Sequence, residues 1–426
     1  MRTVIKGGHI IDPGNQIDEI ADLYIIDDRI AGIGTPPEGV QVDTVIEARD
    51  RLVIPGLVDL SARLREPGAE HKATIDSETR AAARGGITSI CCPPDTMPVI
   101  DTPAIAELIF KRAQSAGMAR VFCLGALTHG LEGETLACMH ALKIAGCTGM
   151  SNGYHPVMNN AVLRQALEYA STFGMTVHLY CEDVALRGKG VVHEGMMSAR
   201  MGLAGIPETA ETTAVSTALL LAEQTGARVH FCRISSAGSV NLIAGARQRG
   251  LPVTADVAIA NLFLSEIDLD GFNSQFHMQP PLRTDSDRDA LRQALANGVI
   301  DAICSDHQPH DEDAKSAPFS QTEPGASTID VFLSLVLQLA NHEGLDLPAV
   351  LQCVTAGPAR IIGSATGSLA QGMPADLCIV DPAVIWTVTA QDLHSAGKNC
   401  PFLGWELTGR VVATLLGGRI VYRKEQ

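Results

Sequence analysis

The stretch LVIPGLVDLSARLREPGAEHK (52–72) decides the fold. Its first nine residues are nearly all apolar, the pattern of a strand buried on both faces. Polar and charged groups, Asp59, Ser61, Arg63, Arg65 and Glu66, gather where that run ends. Similar apolar runs recur as ITSICC (87–92), RVFCLGAL (120–127), MTVHLYC (175–181), ARVHFCRI (227–234), LPVTADV (251–257) and VIDAICSD (299–306). Between them lie amphipathic stretches: TPAIAELIFKRAQSAG (102–117), NAVLRQALEYASTFG (160–174), ETTAVSTALLLAEQTG (211–226) and DRDALRQALANG (287–298). Each closes on a glycine, a helix stop signal. Strand and helix alternate about eight times over roughly 300 residues, which predicts an α/β fold, a (β/α)8 TIM-type barrel rather than an open sheet. Catalytic groups in such a barrel belong at the C-terminal ends of the strands.

Outside that region the pattern is β. IADLYIIDDRIAGIG (20–34) reads as a hairpin around Asp27-Asp28. ADLCIVD (375–381), GRVVATLLGG (409–418) and RIVYR (419–423) read as short strands, with Gly417-Gly418 as a tight turn. The expected architecture is a small composite β-sandwich domain from residues 1–54 and 365–426, with the barrel, 55–364, inserted between them.

The 426 residues are 46% hydrophobic and 19% charged, which excludes disorder. With 32 basic against 48 acidic side chains the net charge is −16, so nucleic acid and anionic membrane surfaces are not expected partners. No apolar run reaches the roughly 20 residues of a membrane span. The opening MRTVIKGGHI turns polar too early for a signal peptide. Eleven cysteines, an odd number set mostly in apolar runs, suggest reduced thiols and a cytoplasmic location. The adjacent pair Cys91-Cys92 lacks CxxC spacing, so no structural zinc is expected there.

Several words narrow the reading. They are IPGLVDLSARLREPGAEHK (54–72), AAARGGITSICCPPDTMPV (81–99), SNGYHPVMNNAVLRQALEYA (151–170), HLYCEDVALRGKG (178–190) and RISSAGSVNLI (233–243). QPPLRTDSDRDAL (279–291), AICSDHQPHDEDAK (302–315), GSLAQGMPADLCIVDP (367–382) and the PF-G-x-x-L-x-G pattern from Pro401 complete them. In this order, from about residue 2 to 424, the chain resembles the dihydroorotase family of the amidohydrolase superfamily.

Its departures from that family are as informative. The resemblance implies Asp-x-His-x-His at the first strand, and the two imidazole positions hold Ser61 and Arg63. After the glycine-rich fourth strand, Asn152 and Gly153 stand where the family has an acidic metal bridge. Tyr180 replaces the histidine of the fifth strand and Arg233 that of the sixth. The strand-eight aspartate alone remains, as Asp306. Zinc is held by His, Cys and carboxylate groups, commonly three or four together. Arginine offers no lone pair and stays charged. No metal or other cofactor is therefore expected, and without a metal no water is activated near neutral pH. Asp306 is read as vestigial.

The vestigial substrate pocket implied by the resemblance comprises Arg65, Asp95, Gln279, His310 and Gly325. Arg65 matches the family's carboxylate-clasping arginine. Asp95 and Gln279 stand where the family has asparagines, and a negative group at 95 disfavours an anionic substrate. The vacated positions suggest a plug, with Arg63 and Arg233 pairing bidentately with Asp306.

The resemblance to the inactive branch implies a non-catalytic, dihydroorotase-like assembly subunit of aspartate transcarbamoylase in de novo pyrimidine biosynthesis. In that setting it joins the catalytic chain, six plus six, and also forms a homodimer. Two other readings stay open. One is a residual cyclic amidohydrolase, either metal-independent or with a displaced metal, for which His155, His178, Cys181, Glu182, His307 and His310 are within sequence reach. His178 shares the face of Tyr180 about 6–7 Å deeper, while Cys181 and His230 read as outward-packed or core residues. Ser61 is a nucleophile on paper, although replacement by a small residue is the simpler account. The other reading is a small-molecule sensor that keeps Arg65 as its carboxylate grip.

Overall fold

The computed structural model describes residues 2–36 and 41–424. Eight parallel strands follow one another around a barrel in chain order: Leu57–Asp59, Ile87–Cys92, Arg120–Ala126, Gly149–Ser151, Thr176–Leu179, Val229–Phe231, Val253–Ala258 and Ala302–Cys304. The first and last meet just beyond their ends. Arg63 N–H donates to the His307 carbonyl at 2.9 Å and His307 N–H to the Ser61 carbonyl at 3.2 Å. The seam therefore closes at the rim where the polar residues stand.

The barrel interior packs small and medium side chains, among them Val58, Leu60, Cys91, Leu124, Ala258 and Cys304. Larger apolar groups on the outer strand faces, such as Ile90, Val177, Val229 and Phe231, pack with the surrounding helices. Three of the main helices are Pro103–Ala116, Asn160–Thr172 and Thr209–Thr225. The first and third end on left-handed Gly117 and Gly226, the stop the sequence predicts.

A second eight-stranded sheet unites the chain ends. Its order is Arg419–Arg423, Glu406–Leu416, Leu377–Thr387, Leu52–Pro55, Arg2–Asp12, Ile17–Ile26 and Arg29–Ile33, with Thr44–Glu47 also paired to Arg2–Asp12. The run LVIPGLVDL is not one strand. Leu52–Pro55 belongs to this sheet and Leu57–Asp59 to the barrel. Between them Gly56 lies so close to Thr88 that a Cβ would collide with it, so the chain changes layers where only glycine fits.

Candidate functional site

The sequence-selected residues gather at the C-terminal mouth of the barrel. Ser61 and Arg63 follow the first strand, Asp95 the second, Asn152 the fourth, Tyr180 the fifth, Arg233 the sixth and Asp306 the eighth. Gln279 comes from the long loop after the seventh. Three of them, Arg65, Arg233 and Asp306, have positive φ, at 61°, 54° and 46°. Non-glycine residues rarely take this form.

Arg233 is held from behind. Its N–H donates to Asp256 Oδ1 at 2.6 Å. The next turn is tied down by buried Glu211, which accepts from the backbone N–H and hydroxyl groups of Ser235 and Ser236 and pairs with Arg283 at 3.3 Å. The Arg233 side chain then reaches inward. Its Nη1 donates to Ser61 Oγ at 3.0 Å, and its Nε lies 3.7 Å from Asp306 Oδ1.

Arg63 does not form the expected bidentate pair with Asp306. Its Nε and Nη2 both reach Asp95 Oδ2, at 3.0 and 2.7 Å, while Nη1 stands 3.5 Å from Asp306 Oδ1. The reason is position: Asp95, from the neighbouring strand, gives the fork a nearer carboxylate than strand eight does. Burial works against charge at Asp95, but the Arg63 guanidinium outweighs it and holds the carboxyl below its usual range. Burial likewise opposes the charge of Arg63, and Asp95, Tyr154 and Asp306 together more than restore it.

Asp306 is satisfied by neutral donors. It accepts from Ser61 Oγ at 3.2 Å and Gln308 Nε2 at 3.1 Å, and Tyr154 Oη lies 2.8 Å from its Oδ2. Tyr154 fills the centre of the mouth. The Arg63 and Arg233 guanidinium carbons stand 4.3 and 4.5 Å from its ring centroid, and the Tyr180 ring meets it edge-on at 4.7 Å. Guanidinium groups over an aromatic face are attracted by the ring quadrupole. Burial raises the phenol pKa well above normal, so Tyr154 stays neutral. Asn152 sits beneath as a backbone bracket, exchanging both bonds of its amide with the peptide of Tyr180 at 3.0 Å.

The other pocket residues are partly consumed by one another. Arg65 Nε donates to the Pro309 carbonyl at 2.9 Å, and its Nη2 lies 3.2 Å from His310 Nε2. Burial, with Arg63 adding to it, pulls the Arg65 pKa down to about 10. His310 contacts Lys72 Nζ at 3.2 Å and the Pro324 carbonyl at 3.0 Å, and burial with Arg65 nearby drops its pKa to about 2. As a neutral ring with its proton on Nε2 it accepts from Lys72 and donates to Pro324, which leaves the Arg65 Nη2 approach a close contact rather than a hydrogen bond. Gly325, at φ 118°, lets the loop pass against Gln308. Gln279 Nε2 is 3.4 Å from Glu182, and its carbonyl, 2.5 Å from Tyr154 Oη, competes with Asp306 for the one hydroxyl proton.

The mouth does not fit the two metals that the resemblance would bring. The donor positions hold a hydroxyl, an amide, a phenol and two guanidinium groups, and the remaining carboxylates are already paired. The residues within sequence reach for a relocated ion do not converge there either. His155 is exposed, Cys181 packs in the outer core, and His307 is bound to buried Glu78 at 2.7 Å. Glu182 pairs with Arg187 at 3.0 Å. His178 and His230 face each other below the mouth, their ring centroids 5.0 Å apart.

Tyr154, Asp256, Glu211 and Arg283 escaped the sequence reading. Tyr154 lies two residues beyond Asn152, and its place opposite the arginines depends on a turn at Gly153, φ 56°. Asp256, in the run LPVTADV, is an acidic interruption of an apolar strand, a signal that could have been weighed.

An eight-stranded parallel barrel with polar groups at one rim, joined to a sheet made from both chain ends, defines an amidohydrolase-type architecture. The L-hydantoinase (dihydropyrimidinase) from Arthrobacter aurescens superposes with a TM-score of 0.89 at 24% identity, over 100% of this chain and 96% of that one. At that identity the likeness speaks for the fold. In sequence, residues 50–239 match the Dihydro-orotase-like family. A dihydroorotase-like protein of Pseudomonas aeruginosa is 48% identical over 422 residues, 99% of this chain and 100% of that protein. A dihydroorotase of Anaeromyxobacter dehalogenans is 42% identical over 424 residues, 99% and 98% of the two chains. This chain belongs to the dihydroorotase-like family.

Proposed function

We propose that the chain is a catalytically inactive family member that acts as an assembly subunit of aspartate transcarbamoylase in cytoplasmic de novo pyrimidine biosynthesis. The observation that carries this reading is the charge-paired mouth. Arg63 and Arg233 stand at two vacated ligand positions, each beside a carboxylate and over the Tyr154 ring. An ion arriving there meets two fixed positive charges, and a substrate meets an aromatic plug. A fold kept intact around a mouth unsuited to its chemistry points to a use for its surface. The partner is the catalytic chain of the transcarbamoylase, six of each, with this chain also pairing with itself.

The test is mass by light scattering, for this chain alone and mixed with the transcarbamoylase chain of its own organism, with carbamoyl transfer assayed on the same fractions. A stable complex larger than either part and carrying the activity supports the reading. Separate peaks at micromolar concentration sink it. Dihydroorotate turnover with added zinc, lost on Asp306→Asn, would favour residual hydrolysis instead. Dihydroorotate binding by calorimetry, lost on Arg65→Met, would favour the sensor.

A further inference from the structure

We propose that His178, His230 and Cys232 form a buried structural site for one thiophilic divalent cation of the zinc type, beneath the mouth and separate from it. One donor atom from each lies within 4.8 Å of the other two, and all three residues are buried. His178 and His230 are register partners on adjacent barrel strands, and Cys232 is the next inward-facing position after His230. His178 Nε2 is buried without a hydrogen-bond partner, beside Gly149 of the fourth strand. A buried polar atom without a partner is costly, and a ligand is one way to satisfy it.

The surroundings match such an ion. His230 Nε2 stands 2.8 Å from Asp256 Oδ2, and its Nδ1 is 2.9 Å from Thr254 Oγ1. A proton held on Nε2 by the carboxylate leaves the Nδ1 lone pair to bind, the arrangement by which carboxylates orient metal-binding histidines. Thr254 need only turn its hydroxyl to yield that lone pair or to add a fourth ligand. The two positive charges of the ion meet one negative charge on a Cys232 thiolate and one on Asp256, while the neighbouring Arg233 guanidinium has its own counter-charge in Asp306. Two imidazoles and a thiolate suit zinc and exclude magnesium and calcium. Zinc bonds of about 2.0–2.3 Å hold donors roughly 3.3–3.8 Å apart, so these side chains close by about 1 Å on binding. The Cys232 S–H bond breaks as the sulfur–metal bond forms, the proton leaves to solvent, and nothing is oxidised or reduced. Because the site is enclosed, the ion enters as the barrel closes during folding, and it serves the fold rather than hydrolysis.

The full chain is refolded from denaturant with one equivalent of zinc, freed of loose ion, and its metal counted by mass spectrometry; a parallel sample takes cobalt for its absorption spectrum. About one ion per chain is expected in the wild type and in Asp306→Asn, and less than about a tenth in His178→Ala and Cys232→Ser. The cobalt form should show thiolate-to-cobalt charge transfer. A wild type without metal, a cobalt spectrum without that band, retention of the ion in both site variants, or its loss in Asp306→Asn overturns the proposal. The cobalt spectrum decides the matter even where a variant fails to fold.

Discussion

His178 on the fifth strand and Tyr180 just past its end lie two residues apart, yet the barrel treats them differently. At the level of Tyr180, two guanidinium groups, two carboxylates and two phenols close on one another. Arg63 takes Asp95, Arg233 stays near Asp306, and Tyr154 lies between. One step down, His178 has an imidazole nitrogen with no partner at all. The upper layer is balanced in charge by the chain's own residues, although Arg63 Nη1 and Arg233 Nε, 3.5 and 3.7 Å from Asp306, also lack a hydrogen bond. Below, the atom without one is an imidazole nitrogen, which can offer a lone pair where a guanidinium cannot. Losing metal ligands therefore does not by itself leave a hole: replacement by oppositely charged neighbours can make a mouth self-sufficient.

The largest expected effect tests the closure of the upper layer. Asp95→Asn keeps an acceptor for Arg63 but removes its counter-charge in a nearly buried position. Breaking a buried pair from one side typically costs about 3–5 kcal/mol. It should show as a lower urea midpoint, and combining it with Arg63→Met should recover most of the loss. A single variant as stable as the wild type would mean that the upper layer is not a charge-balanced unit.

Acid titration separates the mouth from the seam below it. At Asp95 the folded pKa is depressed, so its stabilisation is present above the unfolded value and lost as pH falls through the folded one. Asp59, at the seam, is pushed up to about 6 by burial, against hydrogen bonds from Ser305 and Ser61. With the folded value above the unfolded 3.8, the native state binds more protons in between, so stability from Asp59 is lost as pH rises through about 6. The swing is up to about 3 kcal/mol by proton linkage. Denaturation midpoints measured between about pH 4 and 6 should lose this downward slope in Asp59→Asn. An unchanged slope would break the contrast.

Asp306→Asn should cost less than Asp95→Asn, about 1–3 kcal/mol in chemical denaturation, because its guanidinium contacts are at 3.5 and 3.7 Å and neutral donors remain. A loss equal to that of Asp95→Asn would restore the bidentate plug that the sequence suggested.

Much of this was legible before the structure. Apolar runs with polar ends give the barrel, because parallel strands are buried on both faces and bind at one rim. The replaced ligand positions could be named because the family resemblance maps its ligands onto these strand ends. Other features were not legible. The fourth strand, Gly149–Ser151, is three residues long and carries no periodicity. The Arg63–Asp95 pairing rests on the angle at which adjacent loops leave neighbouring strands, which no spacing encodes. Tyr154 enters the mouth through the turn at Gly153, and Arg233 through a positive φ that residue identity alone does not announce. Alternation did place His178 below Tyr180, but that its Nε2 has no partner depends on the three-dimensional packing around it.

That nitrogen gives the smallest effect and the one that turns on sign. In protein refolded with chelator, His178→Leu removes an unpartnered buried polar atom and substitutes apolar contact, which should leave stability unchanged or raise it by about 1 kcal/mol. In protein refolded with zinc the same substitution removes a ligand, so the variant should forfeit the extra stability that a bound ion gives the native state. The measurement is the difference in unfolding midpoint between the two preparations, taken for wild type and variant. A positive difference in the wild type that vanishes in the variant separates the layers: the mouth holds itself by its own charges, and the histidine layer is completed by an ion. Equal midpoints in all four samples would make His178 an unpaired core histidine, and the two layers would differ only in polarity.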